Sequence, residues 1–141
     1  PQSTISQTQM IGYWLNLRTL PDEPICVWGG DADVYYHARC RVASRYYFTY
    51  PLQMPDYDNA RRVRDFVADL GRTRPAFIVD MSIVNEYTPP LLGKRRLQRE
   101  YSYNQFDAIR DYVRRNHVLT DFRFASTWVR RDLARRGKIT E

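Results

Sequence analysis

Residues 25–51 read ICVWGGDADVYYHARCRVASRYYFTYP, and this stretch decides the fold. It opens with a short apolar run typical of a buried strand, which Gly29 and Gly30 end. Helix-compatible residues follow over 32–39, and the aromatic run 45–51 ends in proline. Strand, turn, helix and strand form a βαβ unit, whose two strands are expected to lie parallel in one sheet.

The turn inside this unit carries two predictions of its own. Gly29 and Gly30 provide the backbone freedom that a sharp strand-to-helix turn needs. Asp31 or Asp33 is expected to cap the N-terminus of the helix through its carboxylate.

Size and composition point to one folded domain. The chain has 141 residues, of which 43% are hydrophobic and 27% charged, so a single α/β domain is expected over residues 1–141. No apolar run approaches the roughly 18 residues that cross a bilayer. The first residue is Pro1 rather than Met, which indicates a piece of a longer protein.

The charge is distributed unevenly along the chain. Residues 1–60 hold four arginines against six acidic residues, whereas the rest of the chain is strongly basic, and the net charge is +6. Basic surfaces contact nucleic acid, anionic lipid or phosphate-bearing substrates. No RNA-binding aromatic signature, zinc-finger spacing or basic-zipper heptad is present, so nucleic acid is not an expected partner. Cys26 and Cys40 are expected to be packed free thiols, and no metal site is predicted.

Apolar residues at helical spacing predict three further helices. They run from Ile5 to Leu17, from Ala60 to Leu70 and from Tyr103 to Arg115. Ser3 or Thr4 is expected to start the first of them.

The second of these helices has the clearest pattern. Asp58 or Asn59 is expected to cap it and Gly71 to stop it. Its polar face is predicted to include Asp65 and Asp69.

Three β segments complete the predicted sheet. Residues 76–81 are apolar and indicate a third buried parallel strand. The segments His117–Phe124 and Ser126–Arg131 are joined too closely for a crossover, so they are expected to pair antiparallel at a sheet edge, before a polar tail from Leu133 to Glu141. The predicted fold is a three-layer, Rossmann-like α/β domain with a mainly parallel sheet and an antiparallel edge near the C-terminus.

The candidate ligand site follows from this sheet. Open α/β sheets bind ligands outside the carboxyl ends of their strands, where Trp28, Gly29, Gly30 and Asp31 follow the first strand and Asp80 ends the third. Two carboxylates at one edge can bind a metal or perform acid–base chemistry. The alternative is that Asp31 and Asp80 only cap turns and loops. The G-x-G-x-x-G spacing of a dinucleotide site is absent, so no cofactor is predicted.

Aromatic residues are dense in and around the central stretch. Tyrosine and arginine together suit the recognition of a sugar or a lipid headgroup. The alternative is that these rings face the helical layers. The residues concerned are Trp28, Tyr35, Tyr36, Tyr46, Tyr47, Phe48, Tyr50 and Tyr57.

Two basic features have separate predictions. Lys94, Arg95, Arg96 and Arg99 lie in the irregular segment after residue 82 and are candidates for contact with anionic lipid headgroups or a lipid phosphate. The alternative is a solvated loop. Arg45 precedes the predicted second strand, at the end opposite the ligand edge, and a structural role is expected in which its guanidinium holds loop carbonyls or a carboxylate.

Short motifs add a family resemblance. Four motifs resemble the C-terminal region of bacterial membrane glycosyltransferases. They are I-C-V-W-G at 25–29, V-Y-Y at 34–36, A-S-R-Y at 43–46 and Y-P-L at 50–52. These glycosyltransferases are similar to the dolichyl-phosphate-mannose protein mannosyltransferases and the lipid A aminoarabinose transferases. The resemblance covers about residues 8–131.

The resemblance implies a function for the domain. It implies a non-catalytic, extracytoplasmic accessory domain of a polytopic transferase that uses a polyprenyl-phosphate sugar donor. The family's catalytic acids lie N-terminal to this region, so no catalytic residue is assigned. Implied partners are the transmembrane part of the same polypeptide and a lipid headgroup or glycan acceptor. A free-standing α/β enzyme, or a nucleotide- or anion-binding module that uses the edge near Gly29, Asp31 and Asp80, is the alternative hypothesis.

Overall fold

The computed structural model describes residues 5–54, 57–85, 88–91, 106–120 and 125–138. The strands are β1 (Pro24–Trp28), β2 (Arg41–Val42), β3 (Phe77–Asp80), β4 (His117–Thr120) and β5 (Ser126–Arg130). The helices are α1 (Gln7–Asn16), α2 (Asp33–Ala38), α3 (Asn59–Thr73) and α4 (Asp107–Asn116), with 3₁₀ segments at Tyr50–Gln53 and Arg131–Lys138.

The strands form one mixed sheet in the order β2-β1-β3-β5-β4. Strand β1 pairs in parallel with β2 on one side and with β3 on the other. Strand β5 pairs antiparallel with both β3 and β4. The predicted α/β fold, with a parallel core and antiparallel C-terminal strands, is therefore confirmed.

The βαβ unit forms as predicted, but its second strand lies earlier in the chain. Strand β2 pairs Arg41 with Pro24 and Val42 with Ile25, and the predicted strand at 45–51 is wrong. Arg39 takes the left-handed conformation at φ 55° and ends α2 sharply, so the chain reaches the sheet at once. It leaves again after two residues, because the Ser44 hydroxyl contacts the Tyr46 backbone and fixes a turn.

The turn after β1 depends on the backbone conformation of Gly29, and not on the predicted capping by an aspartate. Gly29 has φ 137°, which side-chain-bearing residues rarely adopt. Helix α2 has Ala32 at its N-cap with no side-chain hydrogen bond, so the predicted capping by Asp31 or Asp33 is wrong. The Asp33 carboxylate instead accepts a hydrogen bond from the Thr8 hydroxyl at 2.6 Å, and so joins α2 to α1.

Helices cover both faces of the sheet. On one face, α1, α2 and the C-terminal 3₁₀ segment pack against alternate residues of β1 and β3, including Val27 and Phe77. On the other face, α3 and α4 pack against Cys26, Trp28 and Ile78. Burial on both faces explains why β1 and β3 read as continuous apolar runs.

The helix ends differ from the sequence predictions. Helix α1 begins after Ser6, whose hydroxyl forms a capping box with Gln9, rather than after Ser3 or Thr4. Helix α3 passes the predicted stop at Gly71 and ends at Thr73. Since Arg74 takes the left-handed conformation at φ 49°, it ends the helix in the way that glycine usually does.

The caps predicted at the start of α3 also differ. Asp58 is the N-cap but forms no capping hydrogen bond through its side chain. The Asn59 amide donates to the carbonyls of Leu52 and Met54 at 2.8 and 2.9 Å, and so fixes the preceding loop.

The chain beyond β5 is not the polar tail that the sequence predicted from Leu133. Leu133 and Ala134 pack against the sheet core. The Arg136 guanidinium donates to the Glu23 carboxylate at the opposite end of the sequence. Residues 131–138 are therefore part of the fold, and the rest of the predicted tail lies outside the described residues.

Candidate functional site

The predicted ligand-binding residues do meet at one edge of the sheet. Trp28 and Asp80 are paired in the register of β1 and β3, so their strands end side by side. Trp28 is fully buried, and its indole N–H donates to the Pro89 carbonyl at 2.9 Å. Its ring meets Phe106 edge-on with centroids 5.1 Å apart. Trp28 is thus a core residue that also holds the loop above it.

The glycine turn at this edge is covered by the protein. The Gly29 N–H donates to the Thr49 hydroxyl at 2.7 Å, and the Thr49 N–H donates to the Gly29 carbonyl at 3.0 Å. The phenol of Tyr50 lies directly against Gly30, which leaves no room for a Cβ there. The Gly29 N–H and carbonyl are therefore already paired, and Tyr50 covers Gly30.

Asp80 is engaged by the loops that follow β3. It is 1% exposed, and its two carboxylate oxygens accept hydrogen bonds from the backbone N–H groups of Ser82 and Leu91, both at 2.9 Å. A carboxylate with charge-assisted bonds to two buried amides closes a loop. This geometry matches the alternative that the sequence left open, in which Asp80 caps a loop.

Asp31 is the remaining candidate at this edge. Its Oδ2 is buried and has no hydrogen-bond partner in the described structure. Burial, followed by the nearby charge of Asp33, raises the pKa of Asp31. Among the described residues, no three His, Cys, Asp or Glu side chains gather in a group that could hold a metal ion.

Arg45 forms a dense ion pair on the α3 side of the sheet. It lies after β2 rather than before a strand, and its Nε and Nη2 donate to the two oxygens of Asp69 at 3.0 and 3.1 Å. Asp69 also accepts from the Arg45 backbone N–H at 2.9 Å and from Arg72 at 2.8 Å.

This pairing has a clear electrostatic consequence. The Asp69 side chain is 1% exposed, whereas the Arg45 side chain is 53% exposed. Hydrogen bonding from the Arg45 guanidinium lowers the pKa of Asp69 to about 2. The carboxylate is therefore the buried member of the pair, and the guanidinium covers it from solvent.

An open groove lies beside β2, away from the carboxyl edge. We call it the β2 groove and define it by its polar and aromatic lining: Tyr35, Tyr36, Arg41, Ser44, Arg45 and Tyr47. Its volume is about 620 Å³. A second cavity of about 500 Å³ lies on the α3 side, and the two share Val42, Ser44 and Arg45.

Sequence reasoning found part of this groove. The density of tyrosines around β1 indicated a surface for a sugar or headgroup, and three of those tyrosines line the groove. It missed Arg41, because the arginine was placed between a helix and a strand that begins later. The sequence carries no signal for this early end of α2, because Arg39 takes the left-handed conformation where no glycine or asparagine marks it.

His117 has a structural environment. It is 2% exposed, and its Nε2 lies 2.9 Å from the Pro75 carbonyl, where it donates a hydrogen bond. Burial lowers the pKa of His117 to about 4. The ring is therefore neutral near pH 7, and its hydrogen bond joins β4 to the chain before β3.

The predicted membrane contacts fall on residues that the structure does not describe. Lys94, Arg95, Arg96 and Arg99 lie outside the described residues, so their contact with lipid stays a prediction. In the portions of the chain that the structure covers, every helix is too short or too polar to cross a bilayer.

Comparisons with known proteins give no identity for the chain. No protein-family model, curated protein or solved structure matches it.

Proposed function

We propose that this chain is a non-catalytic accessory domain of a polytopic membrane glycosyltransferase that uses a polyprenyl-phosphate sugar donor. In this proposal the domain stands on the extracytoplasmic face of the cell membrane, joined to the transmembrane part of the same polypeptide. It helps to position the donor or the acceptor. The sequence motifs between residues 25 and 52 support this family assignment.

The observation that carries the non-catalytic part is that the fold itself engages Asp80 and Trp28 at the carboxyl edge. An acid–base catalyst must come within hydrogen-bond reach of its substrate. Asp80 is 1% exposed and already bonded to Ser82 and Leu91, and Trp28 is fully buried. These residues support the fold at the place where α/β enzymes hold their ligands. The edge thus favours an accessory role over turnover by the domain itself.

The first test concerns the membrane part of the proposal. The open reading frame that contains residues 1–141 should encode a long multi-span segment before Pro1. A reading frame without such a segment overturns the proposal.

The second test concerns catalysis. In membranes that contain the full-length transferase, we expect Asp31→Asn to change sugar transfer by less than about twofold, because a general acid or base is worth roughly 10²–10⁴-fold. Asp111→Asn, at an exposed position on α4, is the matched control. A hundredfold loss with Asp31→Asn alone, at an unchanged amount of protein, would make the edge catalytic and the proposal wrong.

A further inference from the structure

We infer that the β2 groove binds a saccharide that carries an anionic group, through the rings of Tyr36 and Tyr47 and the guanidinium of Arg41. The inference rests on the proposed function and deepens it, because it names the chemistry that this domain would help to position. The anion is either the phosphate of a glycosyl phosphate or the carboxylate of an acidic glycan.

The aromatic side of the groove combines two exposed rings with a buried one. Tyr36 is 80% exposed and Tyr47 is 59% exposed. Behind them, Tyr35 is buried, and its hydroxyl accepts a hydrogen bond from the Val27 N–H at 2.8 Å. The rings of Tyr35 and Tyr47 meet edge-on with centroids 6.0 Å apart, so a fixed ring supports an exposed one. A tyrosine ring offers an apolar face and a polar hydroxyl, which match the C–H and O–H groups of a pyranose.

The cationic side of the groove is Arg41. Its Nε donates to the Asp22 carbonyl at 2.7 Å, which holds the guanidinium in place. Within the described structure, no carboxylate lies within ion-pair distance of Arg41. Arg45, in contrast, is balanced by Asp69 at 3.0 Å and Asp65 at 3.4 Å. Arg41 therefore contributes the uncompensated charge of the groove, and a fixed guanidinium recognises carboxylates and phosphates through two donors at once.

The lining and size of the groove suit a sugar. Ser44 is fixed by its contacts with the Tyr46 backbone at 3.0 and 3.2 Å. The volume of about 620 Å³ lies within the range of roughly 300–1,000 Å³ that holds small molecules. A lining of rings, a hydroxyl and one free cation favours a ligand with apolar faces, many hydroxyls and a negative charge.

The test is an NMR titration of the ¹⁵N-labelled chain. The probes are glucose 1-phosphate, glucuronic acid, glucose and inorganic phosphate. We expect at least one anionic sugar to bind about tenfold more tightly than both glucose and phosphate, which corresponds to about 1.4 kcal/mol. The amides that shift should lie near Tyr36, Arg41 and Tyr47. Preference for glucose 1-phosphate indicates the donor as the source of the anion, and preference for glucuronic acid indicates an acidic acceptor.

Matched variants make the result specific. Arg41→Gln should weaken binding of the anionic sugar about tenfold and leave glucose unchanged. Tyr36→Ala should weaken it roughly three- to tenfold. Arg64→Gln on α3 and Tyr57→Ala, whose ring is 95% exposed, are the controls and should bind as the unchanged chain does. The inference is wrong if no probe gives a saturable shift, if phosphate or glucose alone binds as tightly as the better-binding anionic sugar, or if the groove variants bind normally.

The groove and the proposed function can fail separately. If the chain binds an anionic sugar through Arg41 but Arg41→Gln leaves sugar transfer by the full-length protein unchanged, the groove inference stands and the accessory role fails. If the full-length protein passes both tests of the proposed function and the titration is negative, only the groove inference fails.

Discussion

The carboxyl edge of β1 and the β2 groove are a few residues apart in the chain and are built in opposite ways. At the edge, Trp28 is fully buried and Asp80 is 1% exposed. In the groove, Tyr36 is 80% exposed and Arg41 has no described carboxylate partner. Strand β1 has neighbours on both sides and helices on both faces, whereas β2 is a two-residue edge strand with one neighbour. The number of packed neighbours, rather than residue type, separates core aromatics from surface aromatics here.

The largest expected effect that tests this contrast is at Trp28. Trp28→Ala should lower the free energy of unfolding by about 4 kcal/mol, because it removes a fully buried ring and leaves a cavity. Denaturant unfolding followed by circular dichroism measures the loss. Tyr57→Ala is the control for removing a ring. A loss near zero for Trp28→Ala would mean that the edge is not part of the core.

The next effect concerns the carboxylate at the same edge. Asp80→Ala leaves the buried N–H groups of Ser82 and Leu91 without this acceptor and should cost roughly 2–4 kcal/mol. Asp80→Asn retains one oxygen and should cost less. Thermal unfolding at neutral pH distinguishes them. Equal melting temperatures for all three proteins would contradict the loop-closing role and reopen this edge as a ligand site.

A smaller effect on the free energy of unfolding is expected at the ion pair between Arg45 and Asp69. Because the pKa of Asp69 is about 2 in the fold and near 3.8 unfolded, the charged form stabilises the fold at neutral pH by roughly 2 kcal/mol. This contribution is complete above about pH 4 and is lost as the pH falls through 2. Asp69→Asn should therefore be less stable than the unchanged chain at pH 7, and the difference should shrink as the pH falls from 4 towards 2.

Two results would contradict this prediction for Asp69. One is a stability difference that does not change with pH. The other is an Arg45→Ala variant with an unchanged melting temperature, since Arg45 donates the hydrogen bonds that favour the charged carboxylate. Arg64→Gln, on the exposed face of the same helix, is the control.

The smallest effects are expected in the groove. Tyr36→Ala and Tyr47→Ala should each change the free energy of unfolding by no more than about 0.5 kcal/mol, because both rings are largely exposed. Denaturant unfolding is again the measurement. Losses of 2 kcal/mol or more would show that these rings support the fold and would remove the contrast between groove and edge.

The sequence predicted the elements whose patterns are local and regular. The first βαβ unit, the apolar face of α3 and the antiparallel C-terminal strands follow from periodicity and connection length, and the fold class is confirmed. Local patterns failed at Arg39 and Arg74, where arginine takes a left-handed conformation that usually marks glycine.

Contacts distant in sequence were out of reach of such patterns. Helical periodicity places Asp69 on the polar face of α3, yet it is 1% exposed because Arg45 covers it from 24 residues away. The closure of the candidate site by Thr49 and by the loop from Thr88 to Leu91 depends in the same way on where distant segments meet. The sequence could therefore predict where the candidate residues lie. It could not predict that other parts of the chain would bury them and form hydrogen bonds with them.

The order of the strands has a consequence for how the domain reaches its native state. Ile25 of β1 pairs with Phe77 of β3, and Phe77 pairs in turn with Val129 of β5. Strands β1 and β3 therefore each pair with a strand that lies about fifty residues later in the chain. Contacts of such separation slow folding, since long loops must close before the sheet is stable. During synthesis, β1 is left without a partner on its β3 side, and β3 exposes an apolar edge until β5 arrives. The domain is thus expected to fold only when its last strand has been made, as one late cooperative step.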